Sequence, residues 1–291
     1  MNRTLSGVIA AVPTPIDAAG EPDVERFLAH ARWALANGCD GLNVLGTTGE
    51  ATSFSSRQRA GVMRAAADGL DRARLMVGTG TPDLETTIAL TRLAAELGFA
   101  GALLLPPYYY KGVPEEGLLG WFNAVVEATR ATPIDLYLYN FPQMTGVPYT
   151  PALVRRLVSA FGNRIVGAKD SSGDLAYAAE LAKIASFRVF PSNETALGRA
   201  RLDGFAGCIS ATVNISAREA AALWADPADA AMAERVRYLR TAISAEPLVP
   251  GVKYLLSRRF RDPDWRRTAL PWTTLSAEQQ TRLDAIDITI D

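Results

Sequence analysis

Lys169 ends the run Ile165-Val166-Gly167-Ala168-Lys169, an apolar stretch in which an ammonium group is costly. Desolvation disfavours the charged form, so a lysine enclosed there must find a partner or give up its proton, and the free amine is a nucleophile. A lysine at an exposed strand mouth, bonded to a carboxylate or a helix end, produces the same local sequence, and the run alone leaves both open. Alternation by twos puts Lys169 on the face of Gly167 and Ile165 and turns Asp170 the other way. Tyr139 ends a second such run, Leu136-Tyr137-Leu138-Tyr139-Asn140. Its phenol can pass a proton to and from an amine adduct, or simply fill space with its hydroxyl bonded to any acceptor. Gly46-Thr47-Thr48-Gly49 offers two hydroxyls and successive backbone N–H groups in a Gly-flanked turn. That suits a small carboxylate, and it equally suits a plain turn with a helix cap.

The residues that are missing narrow the chemistry further. A single histidine, His30, falls on a helical stretch, which sets aside His-ligated zinc, Ser-His-Asp hydrolysis and Cys-His catalysis. Cys39 and Cys208 lie far apart in apolar surroundings and read as buried thiols of a reducing compartment. No strand-followed G-x-G-x-x-G or G-x-x-x-x-G-K-[ST] motif occurs, so no nucleotide cofactor is expected. Glu50, Asp170 and Glu194 do not recur on alternate strands as a magnesium site requires, so no metal is expected either. Thirty Lys and Arg stand against 31 Asp and Glu, without a basic run, which argues against nucleic acid or an anionic membrane as partner. No apolar run approaches the ~18 residues of a membrane span, and the first residues lack a signal peptide's apolar region, so a cytoplasmic location is expected.

The elements that must position these groups are legible as eight short apolar runs, each bounded by Gly or Pro: Gly7 to Val12, Gly41 to Gly46, Leu75 to Gly80, Gly101 to Leu105, Ile134 to Asn140, Ile165 to Asp170, Phe187 to Pro191 and Gly207 to Thr212. Helix-period stretches separate them, with Ser55 and Asp83 as N-caps and Gly38 and Gly98 as stops. Continuous apolar strands alternating with helices imply a parallel sheet covered on its faces, and eight such units close a (β/α)8 barrel, an α/β TIM barrel. A doubly wound open sheet is the alternative. The barrel is expected over 1–225, and a helical extension packed on it over 226–291, where the strand pattern stops. In such a barrel the site forms at the C-terminal strand ends, where Lys169, Tyr139 and the Gly46 to Gly49 turn all fall.

With those residues in hand, the chain resembles the dihydrodipicolinate synthase and N-acetylneuraminate lyase family along nearly its whole length. The resemblance rests on Gly46-Thr47-Thr48-Gly49-Glu50, Pro107-Tyr108-Tyr109, Tyr139-Asn140-Phe141-Pro142 with Thr145-Gly146, and Gly167-Ala168-Lys169-Asp170. It implies a class I lyase in which Lys169 forms a Schiff base with pyruvate or another 2-oxo acid, without cofactor or metal. It further implies that Tyr139 shuttles protons, that Thr47 and Thr48 hold the carboxylate, and that Gly46 shapes their turn. The Ile209 position lines the pyruvate pocket in relatives, and Tyr109 occupies the place of a tyrosine lent to a neighbouring subunit in a homotetramer, a dimer of dimers. Met144 departs from the pattern: synthases carry there an arginine that grips the acceptor's carboxylate, which a thioether cannot do. Ser192-Asn193-Glu194 only partly matches the polar set of sialic-acid lyases. The expected function is therefore cleavage or dehydration of a 2-keto-3-deoxy sugar acid or a 4-hydroxy-2-oxo acid, with dihydrodipicolinate synthase as the alternative. A non-catalytic 2-oxo-acid sensor and a metal-dependent aldolase are the competing classes for the same barrel.

Overall fold

Strand and helix alternate from Gly7 to Ala225 in the computed structural model, which describes residues 5–288. Strands β1 (Gly7–Ala11), β2 (Gly41–Val44), β3 (Leu75–Gly78), β4 (Gly101–Leu104), β5 (Leu136–Asn140), β6 (Ile165–Asp170), β7 (Arg188–Pro191) and β8 (Gly207–Ser210) form one sheet. It is parallel, with β8 returning beside β1. The seam between β7 and β8 is bridged by the Ala206 N–H donating to the Val189 carbonyl at 2.8–3.0 Å geometry typical of a ladder bond, here 2.9 Å. The expected barrel is therefore the observed one, and the open doubly wound sheet is not.

The paired strands stop short of several of the apolar runs. After Val44 the chain turns through Leu45, whose φ is 53°, so Leu45 and Gly46 belong to the loop above the strand. Gly80 and Thr212 likewise lie beyond their strands. Apolar residues continue past the ladders because the barrel mouth is itself buried.

The helices are α1 (Val24–Ala36), α2 (Ser56–Gly69), α3 (Leu84–Glu96), α4 (Glu115–Ala128), α5 (Pro142–Thr145), α6 (Pro151–Phe161), α7 (Leu175–Ala182), α8 (Ala200–Asp203) and α9 (Val213–Ala225). Their ends carry the expected chemistry. Ser55 and Asp83 accept from the first-turn N–H groups of α2 and α3, and Gly38 and Gly98 take positive φ just past α1 and α3.

Alternation sorts the strand residues into two sets. Val8, Ala10, Leu42, Val44 and Leu138 face outward into the layer beneath the helices. Ile9, Ala11, Met76, Leu103, Tyr137, Tyr139, Phe190 and Ile209 fill the barrel. The expectation for β6 needs one correction. Its register against β5 shifts between Leu136 and Tyr137, so Ile165 packs in the outer layer while Val166 turns inward. Lys169 therefore does not share a face with Ile165: the irregularity resets the alternation before the lysine is reached. Gly167 does lie on the inner side, where a Cβ would come within 2.8 Å of the Tyr137 ring, so the glycine makes room for the aromatic layer below Lys169.

After Ala225 come α10 (Ala230–Ser244), α11 (Leu248–Arg259) and α12 (Ala277–Asp284). The third helix residue of α11 is Pro250, tolerated because a first-turn N–H has no partner to lose. These helices share a second apolar cluster with Ile215 of α9, built on Leu239, Ile243, Val252, Leu255 and Trp265. His30 of α1 is enclosed by Trp33, Phe260 and Trp265. It is fully buried with one nitrogen on Asn214, and burial lowers its pKa to about 4. Its role is packing. Among the described residues no helix is long and apolar enough to cross a membrane.

Candidate active site

Parallel register sets Tyr139 directly beside Lys169, so the two side chains leave neighbouring strands at the same height. Lys169 Nζ donates to the Tyr139 phenol at 3.1 Å and lies 4.3 Å from the centre of its ring. The same phenol is 3.1 Å from Thr47 Oγ1. Amine, phenol and hydroxyl thus form a continuous chain, and both Lys169 and Tyr139 are buried. Burial pushes the phenol's pKa up, but the Lys169 charge and hydrogen bonds from Thr47, Lys169 and Ser171 outweigh it and leave Tyr139 below its ordinary value. A phenol whose pKa is lowered by an adjacent ammonium is suited to trading a proton with it or with an adduct built on it. Asp170 turns away, accepting from Asn140 Nδ2 at 2.7 Å and from Ser172, so it does not quench the lysine.

The Gly46 to Gly49 turn is held rigidly. A Cβ on Gly46 would stand 2.5 Å from Asn43 Oδ1, so a larger residue would have to displace the buried Asn43 side chain. Thr14 Oγ1 donates to the Gly49 carbonyl at 2.9 Å from the end of β1. Glu50 then takes a left-handed conformation and points into the protein, where it accepts from the Ala269 N–H at 2.7 Å and pairs with Lys253 of α11. Lys253 also donates to the Arg267 carbonyl at 3.0 Å. Burial pushes the Glu50 carboxyl up and the Lys253 ammonium down, and each charge offsets part of the other's cost. Two of the chain's four lysines are therefore enclosed, and Lys253, at 0 % exposure, more completely than Lys169. Nothing in the local sequence of α11 marks Lys253 as buried, because its partner is 203 residues away.

A cavity of about 260 Å³ opens over this group, with Thr47, Thr48, Tyr139, Lys169 and Ile209 in its lining. Ser192 and Met144 also face it, Met144 63 % exposed at the rim. Gly46 borders a smaller void of about 20 Å³ shared with Thr47 and Tyr139. Two expected residues lie elsewhere. Asn193 caps the 3-10 turn Glu194–Arg199, its Oδ1 accepting from the Thr195 N–H at 3.0 Å, and it does not face the cavity. Tyr109 is 74 % exposed, edge to face with Tyr110, and outside the cavity of its own chain. Arg240 of α10 is the unforeseen member: it reaches the cavity from the extension and bonds the Ser192 carbonyl and the hydroxyls of Ser210 and Thr212. Its signal is absent from the sequence, since Val236-Arg237-Tyr238-Leu239-Arg240 reads as any amphipathic helix.

A buried lysine hydrogen-bonded to a phenol at the mouth of a (β/α)8 barrel is the arrangement of a class: the barrel lyases that work through a side-chain amine. Comparison with known proteins gives the particular family. The model of the dihydrodipicolinate synthetase family matches residues 4–288, and the chain belongs to that family as one of its lyases. It is 34% identical over 274 residues to a 4-hydroxy-tetrahydrodipicolinate synthase of Agrobacterium fabrum, covering 88% of this chain and 91% of that one. An uncharacterized DapA-like lyase of Chloroflexus aurantiacus is 32% identical over 284 residues, covering 97% and 91%. Among solved structures, dihydrodipicolinate synthase from Agrobacterium tumefaciens superposes with a TM-score of 0.89 at 32% identity, over 96% of this chain and 97% of that one. YagE of E. coli K12, solved in complex with pyruvate, superposes with a TM-score of 0.88 at 28% identity, over 96% of each chain.

Proposed function

We propose that the protein forms a Schiff base between Lys169 and a 2-oxo acid, and cleaves or dehydrates a 4-hydroxy-2-oxo or 2-keto-3-deoxy acid. The observation that carries this reading is the 3.1 Å contact of Lys169 Nζ with a phenol that is itself tied to Thr47. The pyruvate bound by YagE supports the choice of a 2-oxo acid. Lys169 Nζ adds to the C2 carbonyl and water leaves, giving an imine. For cleavage, the Tyr139 phenolate takes the C4 hydroxyl proton, the C3–C4 bond breaks to release an aldehyde, and its electrons move to the imine nitrogen as an enamine. C3 then takes a proton, and water releases pyruvate and the free amine. For dehydration, the C3 proton leaves instead and the resulting enamine expels the C4 hydroxyl as water.

Thr47 and Thr48 are proposed to hold the C1 carboxylate and Tyr109 to serve the cavity of a second copy, so the active preparation should sediment as a homotetramer and not as monomer. A second reading, condensation of pyruvate with aspartate semialdehyde, is favoured by the synthases among the relatives. Met144 speaks against it, since no charged, bidentate donor stands at that rim position. A panel of 2-oxo acids distinguishes these. Turnover of at least one 4-hydroxy-2-oxo or 2-keto-3-deoxy acid is expected, undiminished in excess chelator and abolished in Lys169→Ala. Efficient wild-type condensation of pyruvate with aspartate semialdehyde, with none of those acids consumed, would establish the second reading instead.

A further inference from the structure

Arg240 belongs to a helix outside the barrel, yet its side chain lines the cavity that holds Lys169. Every hydrogen bond it makes to a described residue leaves from one nitrogen. Nη1 donates to the Ser192 carbonyl at 3.2 Å, Glu194 Oε2 at 3.4 Å, Ser210 Oγ at 3.0 Å and Thr212 Oγ1 at 3.2 Å. A guanidinium carries five N–H donors in a planar fork, and the edge formed by Nε and Nη2 is the one whose spacing matches the two oxygens of a carboxylate. That edge is left over.

Charge points the same way. Glu194 is fully buried and shared: it pairs with Arg240 Nη1 at 3.4 Å and also accepts from Ser210 Oγ at 2.6 Å and from the hydroxyls of Thr212 and Ser216. Among the described residues no carboxylate lines the cavity, whereas two cationic side chains, Lys169 and Arg240, do. The C1 carboxylate of a 2-oxo acid answers to the end with Lys169 and the Thr47-Thr48 turn. Arg240 meets Glu194 through Nη1 alone, so the remaining donors of its guanidinium can still receive an anion held in the cavity. The rest of the lining is mostly apolar, with Phe141, Met144, Leu248, Val249 and Trp272 beside Ser171 and Ser192. Such a wall offers few partners to the hydroxyls of a sugar acid.

We infer that Arg240 is a specificity-determining residue that receives the distal carboxylate of a short 2-oxo dicarboxylic acid. This rests on the Schiff-base reading and narrows its substrate class. The cation that Met144 does not supply at the rim is delivered instead from the helical extension.

The test uses matched pairs that differ only by a terminal methyl or carboxylate: 2-oxopentanoate with 2-oxoglutarate, and 2-oxohexanoate with 2-oxoadipate. The concentration of each acid that half-saturates borohydride capture on Lys169 is measured in the full-length protein, with pyruvate capture as reference. In at least one pair the dicarboxylate should be captured at a concentration about 10- to 100-fold lower, the range of one charge-assisted hydrogen bond or a bidentate pair. Arg240→Gln should collapse that ratio to near one, and Arg240→Lys, which keeps the charge without the fork, should retain part of it. If Arg240 served only to tie the extension to the barrel, its replacement would weaken capture of both members of a pair alike, and the ratio would stay put. An unmoved ratio, or a wild type that shows no preference in either pair while pyruvate still labels Lys169, overturns the assignment. Failure of pyruvate itself to label Lys169 would remove the Schiff-base reading first, and this inference with it. Should Arg240→Gln not fold, the Arg240→Lys ratio decides alone.

Discussion

Tyr139 is held between an amine and a hydroxyl, each 3.1 Å from its phenol oxygen. Because Lys169 and Thr47 both touch the phenol oxygen, Tyr139→Phe removes the proton carrier while leaving the ring and the amine in place. We expect turnover of the best 2-oxo acid to fall about 10²- to 10⁴-fold, the usual cost of losing a positioned acid–base group. Borohydride should still trap pyruvate on Lys169 in that variant. Equal loss of trapping and turnover would instead mean that the phenol's contribution is to place the lysine. Lys169 and Tyr139 were legible because each is a polar intruder at the end of an apolar run. Arg240 and Lys253 were not, because both lie on helices where a base every few residues is ordinary and only the folded chain shows what they meet.

Glu50, next after the Gly46 to Gly49 turn, and Lys253 of α11 form a buried charge pair, and this contact ties the extension to the barrel mouth. Two charges taken out of water are tolerable only together. Lys253→Met strands Glu50 beside the Ala269 N–H with no cation, and it should cost about 3–5 kcal/mol in urea unfolding. The double variant Glu50→Leu with Lys253→Met should recover most of that loss, since an apolar pair of similar volume often replaces a buried ion pair without penalty. A loss below about 1 kcal/mol in the single variant would show that water reaches the pair. Strand and helix limits were readable to within a residue or two wherever a cap or a glycine marks them, as at Ser55, Asp83 and Gly98. The irregularity in β6 was not, because nothing in Ile165-Val166-Gly167 distinguishes a regular alternation from one with an extra inward residue.

Across the whole molecule, the barrel and the extension meet at the site. The barrel contributes the amine, the phenol and the hydroxyl turn, and the extension contributes Arg240 from α10 and Leu248, Val249 and Trp272 beyond it. A near-zero net charge, −1 over 291 residues, fits this division, because anions are met by placed groups and not by a basic surface. The sequence could announce the barrel through eight apolar runs, and the enclosed Lys169 through the cost of placing an amine at the end of one of them. It could not announce that the far wall of the cavity is built from helices that follow the last strand. The proposed chemistry depends on the amine of Lys169 being a nucleophile toward a keto carbon. Incubation with pyruvate and borohydride, followed by mass mapping of peptides, measures that directly. The expected result is a reduced pyruvyl adduct on Lys169 and none on Lys111, Lys183 or Lys253; an unmodified Lys169 would contradict the account.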